Sequence, residues 1–112
     1  MTIREAAAML EAEILQEDFE DLPLTGAYTS DLLSDVMANA KDGGALITIQ
    51  AHKNTVAVAS LVNIKVIILC NNRPLQDNEM LESARDEGIA VIRTKENQFT
   101  VSGKLYNAIC RA

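Results

Sequence analysis

The sequence predicts an α/β protein, specifically a three-layer α/β/α domain with a mainly parallel sheet. The apolar runs at residues 46–49, 66–69 and 89–92 are rich in β-branched residues, which suits strands buried on both faces. Segments with helical periodicity separate these runs. Strand, crossover helix and parallel strand form the right-handed βαβ unit on which such sheets are built.

Length and composition indicate a single globular domain over residues 1–112. The chain is 48% hydrophobic and 23% charged, and its net charge of -6 disfavours nucleic acid and anionic membrane surfaces as partners. No segment approaches the roughly 18 apolar residues of a membrane span. The two cysteines, Cys70 and Cys110, imply no disulfide framework, so we expect reduced thiols and a cytoplasmic location.

The N-terminal third contains signals for a helix, a short strand and a second helix. Thr2 and Glu5 have the spacing of a capping box, and residues 12–15 are a candidate strand before an acidic connection. Ser30 is expected to cap a helix over residues 31–40, with Asp31 in its first turn. Gly43 and Gly44 are expected to end that helix.

The remaining helices follow the apolar runs in turn. Asn54 is expected to cap a crossover helix rich in small residues, and a second amphipathic helix over residues 78–87 should end at Gly88. Thr94 is expected to cap a final helix, which Gly103 could interrupt.

Three stretches of the sequence carry a family resemblance. GAYTSDLLSDVMANA, ITIQAHKNTVAVASL and IILCNNRPLQDNEMLESARDEGIAVIRT resemble, in this order, segments of the DRTGG-domain family, and the likeness extends from about Gly26 to Leu105. It implies a small domain similar to the N-terminal domain of HPr kinase/phosphorylase and to modules of phosphotransacetylases and CBS-domain pyrophosphatases. The resemblance also implies a regulatory module that dimerises, of a family whose stand-alone members are commonly encoded near redox or hydrogenase functions.

The chain departs from the family at the letters that give it its name. Residues 51–53 are Ala-His-Lys where the Asp-Arg element would lie, and residues 70–72 are Cys-Asn-Asn where Thr-Gly-Gly would lie. The sequence also lacks the GxxxxGK[ST] loop with which a kinase of the HPr type holds ATP. It identifies no cofactor, metal site or set of catalytic residues.

The turns after the three apolar runs form the candidate ligand site. Parallel strands bring their carboxyl ends to one edge of the sheet, where helix N-termini and cationic side chains suit a phosphate or another small anion. Arg73 and Arg93 lie in the same turns. A purely structural interpretation is that these residues are caps, turn formers and solvated charges. The predicted ligand-binding residues are Gln50, His52, Lys53, Asn54, Asn71, Asn72, Thr94 and Lys95.

Three further groups could carry chemistry. His52 has the intrinsic pKa of a proton-transfer group or pH sensor. Asp31 and Asp35 would share a helix face and could hold a cation. Cys70 could be a reactive thiol, although a buried and inert one is favoured because no base or cationic partner is evident in the sequence.

The functional hypothesis is a non-enzymatic regulatory module that self-associates and binds a small anion or nucleotide. The homodimer is expected to use the small helix after residue 54 and the apolar face of Leu32, Leu33, Val36 and Met37. One alternative is a protein-interaction subunit of a redox or hydrogenase-associated assembly. Another, less favoured, is a small phosphotransferase or hydrolase that uses His52 and Asp31.

Overall fold

The computed structural model describes residues 1–40, 42 and 44–111 and folds them as alternating helices and strands. The elements in chain order are α1 (Ile3–Met9), β1 (Glu13–Gln16), β2 (Ala27–Thr29), α2 (Leu33–Asn39), β3 (Ala45–Thr48), α3 (Lys53–Leu61), β4 (Val66–Leu69), α4 (Glu79–Glu87), β5 (Ala90–Arg93) and α5 (Gln98–Cys110).

The strands form one five-stranded sheet in the order β1-β5-β4-β3-β2. The four strands from β2 to β5 are parallel and lie side by side in chain order, whereas β1 pairs antiparallel with β5 at the opposite edge. The predicted α/β class and mainly parallel sheet are therefore confirmed. The possible strand before residue 16 is β1, displaced by one residue from the predicted range.

Two hydrophobic clusters, one on each face of the sheet, establish the three-layer arrangement. One cluster joins α1 and α5 to the sheet through Ile3, Leu105 and Ile47, and the other joins α2, α3 and α4 through Val36 and Met80, among others. The strands β3 and β4 are buried at every position. Their continuous apolar sequence reflects this burial from both faces.

The three crossover helices all lie on the same face of the sheet, because α2, α3 and α4 share one cluster. Strand order therefore never reverses among the parallel strands. An open α/β sheet normally forms its ligand crevice at such a reversal. The edge beyond the strand ends is instead a continuous row of turns.

One predicted helix start is confirmed, and three predicted N-caps are wrong. The Thr2 and Glu5 capping box is present. Ser30 does not cap α2, whose N-cap position is Leu32; the Ser30 hydroxyl accepts a hydrogen bond from the Leu32 amide before the helix begins. Asp31 consequently lies outside α2 and not in its first turn.

The predicted caps at Asn54 and Thr94 are also wrong. His52 occupies the N-cap of α3 and accepts a hydrogen bond from the Asn54 amide at 3.1 Å. Asn97 caps α5 by accepting from the amide of Thr100. Both true caps use side chains that can accept a hydrogen bond from the backbone of the first turn.

The remaining differences and agreements concern one strand and the glycines. The strand β2 was not predicted, because its three residues carry no apolar run. Gly88 ends α4 with a φ of 67°, as expected, and α5 continues through Gly103 without interruption. The helix α2 ends at Asn39 with Ala40 as its C-cap, so the predicted stop at Gly43 and Gly44 is wrong; Gly43 itself lies outside the described residues. None of the described helices is long and apolar enough to cross a membrane.

Candidate functional site at the carboxyl edge of the sheet

The turns that follow β3, β4 and β5 meet at one edge of the sheet. The Asn72 amide donates to the Thr94 carbonyl at 2.8 Å, and the Asn71 amide donates to the Glu96 carbonyl at 2.9 Å. The segment after the β4 turn returns to the start of α3, where the Gln76 amide donates to the Ala51 carbonyl. These backbone bonds join the turns into a single polar rim, which we call the carboxyl rim.

The β4 turn depends on two consecutive left-handed residues. Asn71 has a φ of 59° and Asn72 a φ of 49°. Asparagine tolerates this conformation better than other residues with a Cβ, which explains the Asn-Asn pair at this position. Both side chains are exposed on the rim.

On the α3 side of the rim, Lys53 and His52 each face a carboxylate of the segment at the start of α4. The Lys53 ammonium lies 2.7 Å from Glu79 Oε2, and the hydrogen bond and charge of Glu79 raise the pKa of Lys53. His52 Nε2 lies 3.8 Å from Asp77 Oδ2, while His52 Nδ1 accepts the Asn54 amide. An anionic ligand would therefore compete with Glu79 for the Lys53 ammonium.

On the α5 side of the rim, Asp31 is the centre of a hydrogen-bond network. Its Oδ1 atom accepts from the Thr48 hydroxyl and the Ile49 amide at 2.9 Å each, and from the Gln98 side-chain amide at 3.0 Å. Its backbone carbonyl accepts from the Gln50 side chain. Asp31 thus fixes the end of β3 and the start of α5 to the loop after β2.

Carboxylates make this side of the rim electronegative. Burial raises the pKa of the Cys70 thiol to about 12, and the charges of Asp31 and Glu96 add to the shift. The Glu96 Oε1 atom is paired with Lys104, while Oε2 is buried without a hydrogen-bond partner among the described residues. Cys70 is fully buried, in agreement with the interpretation of an inert thiol.

The eight predicted ligand residues all lie on the rim or directly beneath it, but they are not equally available. Gln50 is held by Asp31, and Thr94 is 2% exposed, with its hydroxyl donating to the Leu10 carbonyl. Asn54 and Lys95 are exposed. The residues with exposed side chains are Lys53, Asn54, Asn71, Asn72 and Lys95, and His52 is partly exposed.

The predicted cation site, in which Asp31 and Asp35 would share a helix face, does not form, because Asp31 precedes α2. Asp35 instead accepts from the Tyr28 hydroxyl at 2.7 Å and from the Asn39 amide at 2.8 Å. The Tyr28 hydrogen bond is the main reason that the pKa of Asp35 is lowered. No cluster of His, Cys, Asp and Glu within the described ranges has the arrangement of a metal site.

Sequence analysis missed four residues that shape the rim. Gln98, Glu96, Asp77 and Glu79 contact the predicted residues from segments that are distant in sequence. Gln98 and Asp31 are 67 positions apart, so no local pattern connects them. The sequence offered two signals for these contacts. One is a cationic residue that follows a strand, and the other is a pair of acidic residues at the start of the next helix.

Comparison with known proteins places the fold. The sequence matches no family model and no curated protein. The structure is similar to a crystal structure of the CBS and DRTGG domains of the regulatory region of Clostridium perfringens pyrophosphatase, complexed with the activator diadenosine tetraphosphate. The TM-score is 0.70 at 16% sequence identity.

The match covers 93% of this chain and 45% of the pyrophosphatase chain, so this chain spans less than half of that structure. At this level of identity the likeness concerns the fold. The chain therefore has a DRTGG-like α/β fold, and the fold implied by the sequence resemblance is confirmed.

Proposed function

We propose that the chain is a non-enzymatic regulatory module that self-associates and binds a small anionic ligand, such as a nucleotide, at the carboxyl rim. The observation that carries this proposal is the junction of three polar turns, bonded to one another, at the carboxyl ends of adjacent parallel strands. The similar fold in a regulatory region that was crystallised with a dinucleotide supports it.

The state of the candidate catalytic groups favours regulation over catalysis. A general base needs a free lone pair within reach of the proton it removes. The Nδ1 lone pair of His52 is already used to cap α3, and its Nε2 atom faces Asp77. The Cys70 thiol is buried with a pKa of about 12, so its nucleophilic thiolate form is scarce near neutral pH.

The α3 side of the rim is the better half for an anion. Asp31 and Glu96 make the α5 side electronegative. The α3 side also carries Asp77 and Glu79, but it offers the N-terminal turn of a nine-residue helix together with Lys53 and His52. In the structure, the Glu79 carboxylate is paired with the Lys53 ammonium. Ligand binding is then an exchange in which the anion displaces Glu79 from Lys53.

This exchange can be tested by a matched pair of variants. Lys53→Ala removes the cationic side chain. Glu79→Gln removes the carboxylate that pairs with Lys53, and the glutamine side chain has the same length and neighbours as the glutamate. The wild type is titrated with diadenosine tetraphosphate, ATP, AMP and inorganic phosphate by calorimetry, and thermal unfolding is followed in parallel. A ligand at about 100 times its dissociation constant stabilises the fold by roughly 2.7 kcal/mol.

The expected order of affinity is Glu79→Gln above wild type and wild type above Lys53→Ala. Wild-type binding that neither substitution changes would place the ligand elsewhere. Absence of binding by all of these anions would remove the ligand-sensing proposal.

A second candidate is a protein-interaction subunit, for which exposed aromatic side chains are the specific observation. Phe99 is 88% exposed and Tyr106 is 60% exposed, both on α5. Such residues are enriched at protein interfaces. Loss of a co-purifying partner in Phe99→Ser, in a protein that binds no nucleotide, would favour this candidate.

A further inference from the structure

The two free edges of the sheet are built differently. The edge at β1 carries Glu13, and the register of β1 against β5 shifts between Ile14 and Gln16. Charges and irregularities of this kind protect an edge strand from pairing with another chain. The edge at β2, with the sequence Ala-Tyr-Thr, has no charge, no proline and a regular register with β3.

The hydrogen bonds of β2 show which of its backbone groups point outward. The Gly26 carbonyl accepts from the Ala45 amide and the Ser30 amide donates to the Ile47 carbonyl, so these even-numbered residues face β3. Successive residues of a strand direct their backbone groups to opposite sides. The amides and carbonyls of Ala27 and Thr29 therefore point away from the sheet.

We propose that β2 pairs antiparallel with β2 of a second copy of the chain, which joins the two sheets into one. The two-fold axis lies at Tyr28. Ala27 then exchanges both of its hydrogen bonds with Thr29 of the partner subunit, and Thr29 does the same with Ala27 of the partner subunit. This register pairs every outward backbone group of β2 in both copies, which no shifted register of so short a strand achieves. The inference rests on the proposed self-association and specifies its surface.

The surroundings of β2 fit a second copy. A groove of about 180 Å³ lies between β2 and α5, and Ala27, Tyr106 and Cys110 are among its lining residues. Phe99 lies two turns before Tyr106 on α5, on the same side of the helix. Tyr106 lines this groove beside Ala27, so an aromatic side chain borders the edge at which the second copy would pair.

The β2 edge avoids the repulsion between two acidic chains because the strand carries no charged residue. The chain has a net charge of -6, so two copies repel one another over most of their surfaces. The sequence from Thr25 to Ser30 is uncharged. An uncharged edge matches itself and offers no complement to a charged peptide.

The oligomeric state of the full chain tests the inference by sedimentation equilibrium. Ala27→Pro removes an outward amide without removing a bond to β3, and Ala27→Val is its matched control because it keeps the amide. Tyr106→Asp places a charge beside the edge, and Leu61→Asp is its matched control because Leu61 is 72% exposed on α3. Ala27→Pro and Tyr106→Asp should each raise the dimer dissociation constant by about tenfold or more, while both controls leave it unchanged.

A cross-link tests the register. Cα atoms of a non-hydrogen-bonded antiparallel pair are about 4.5 Å apart, within the range of a disulfide. In a Cys110→Ser background, Tyr28→Cys should form a covalent dimer on mild oxidation and Leu61→Cys should not.

The outcomes separate this inference from the proposed function. If Leu61→Asp dissociates the dimer and Ala27→Pro leaves it intact, the β2 interface is overturned. Self-association would then stand, with the interface on the α3 side. A wild-type chain that is monomeric at millimolar concentration would overturn both. Ligand binding at the rim is measured independently and is affected by neither result.

Discussion

The Asp31 carboxylate accepts a hydrogen bond from the Gln98 side-chain amide at 3.0 Å and thereby connects the loop after β2 to the first residue of α5. The same oxygen accepts the Thr48 hydroxyl and the Ile49 amide at the end of β3. One carboxylate oxygen thus holds three segments in place. It contributes to the position of α5, which packs with α1 on one face of the sheet.

Asp31→Ala should lower the free energy of unfolding by about 2 kcal/mol, because it leaves partly buried donors without an acceptor. Urea unfolding measures the change. Asp86, an exposed aspartate on α4, provides the control, and Asp86→Ala should change stability by less than about 0.5 kcal/mol. Equal effects of the two substitutions would contradict the central role of Asp31.

His52→Ala should lower the free energy of unfolding by about 1 kcal/mol, since the Asn54 amide loses its acceptor at the start of α3. His52→Asn should retain most of the stability because asparagine is among the best N-cap residues. The pair of variants separates the cap from any other role of the imidazole. Similar destabilisation by both substitutions would show that the contact with Asp77, and not the cap, stabilises this region.

The two cysteines should differ in reactivity. Cys70 is fully buried, and the pKa of its thiol is raised from 9.0 to about 12, whereas Cys110 is exposed. Iodoacetamide at about pH 8 should modify Cys110 in the folded chain and Cys70 only after denaturation, as measured by peptide mass spectrometry. Rapid modification of Cys70 in the folded chain would show that the strand end opens.

The raised pKa of Cys70 also predicts a pH dependence. The neutral thiol is the form that the folded state favours, so its contribution to stability is fully present below about pH 9 and is lost as the pH rises toward 12. Denaturant unfolding across this range should show a smaller loss for Cys70→Ala than for the wild type. Parallel curves for the two proteins would assign the loss to other groups.

Two glycine substitutions should change stability in opposite directions. Gly88 has a φ of 67° at the end of α4, so Gly88→Ala should lower the free energy of unfolding by about 1 kcal/mol. Gly103 lies within α5 with open space around its Cα, so Gly103→Ala should raise it by roughly 0.8 kcal/mol. Thermal unfolding of both variants provides the measurement, and a destabilising Gly103→Ala would mean that α5 packs against something at this position.

The sequence predicted the features that depend on local composition. The strand Val66–Leu69 was placed at its observed bounds because burial on both faces requires a continuous apolar run. The capping box of Thr2 was visible because all of its parts lie within one turn. The strand β2 was not visible, since its identity comes from pairing with β3 and not from its own residues.

The errors at the caps have a common physical reason. Ser30, Asn54 and Thr94 are typical N-cap residues, but each lies next to another group that determines where the helix begins. The Thr94 hydroxyl donates to the carbonyl of Leu10, which is 84 positions away, and His52 caps α3 ahead of Asn54. The carboxyl rim was predicted because parallel topology requires it, whereas its carboxylate partners arise from tertiary contacts.

The placement of β1 beside β5 affects the order in which the chain can fold. Each of the strands β3, β4 and β5 pairs with the strand that precedes it in the chain, so this part of the sheet can grow strand by strand as the polypeptide leaves the ribosome. The strand β1 precedes all of them but has no neighbour until Arg93 emerges to pair with Glu13. Addition of β1 to the sheet is therefore a late event that joins segments distant in the sequence.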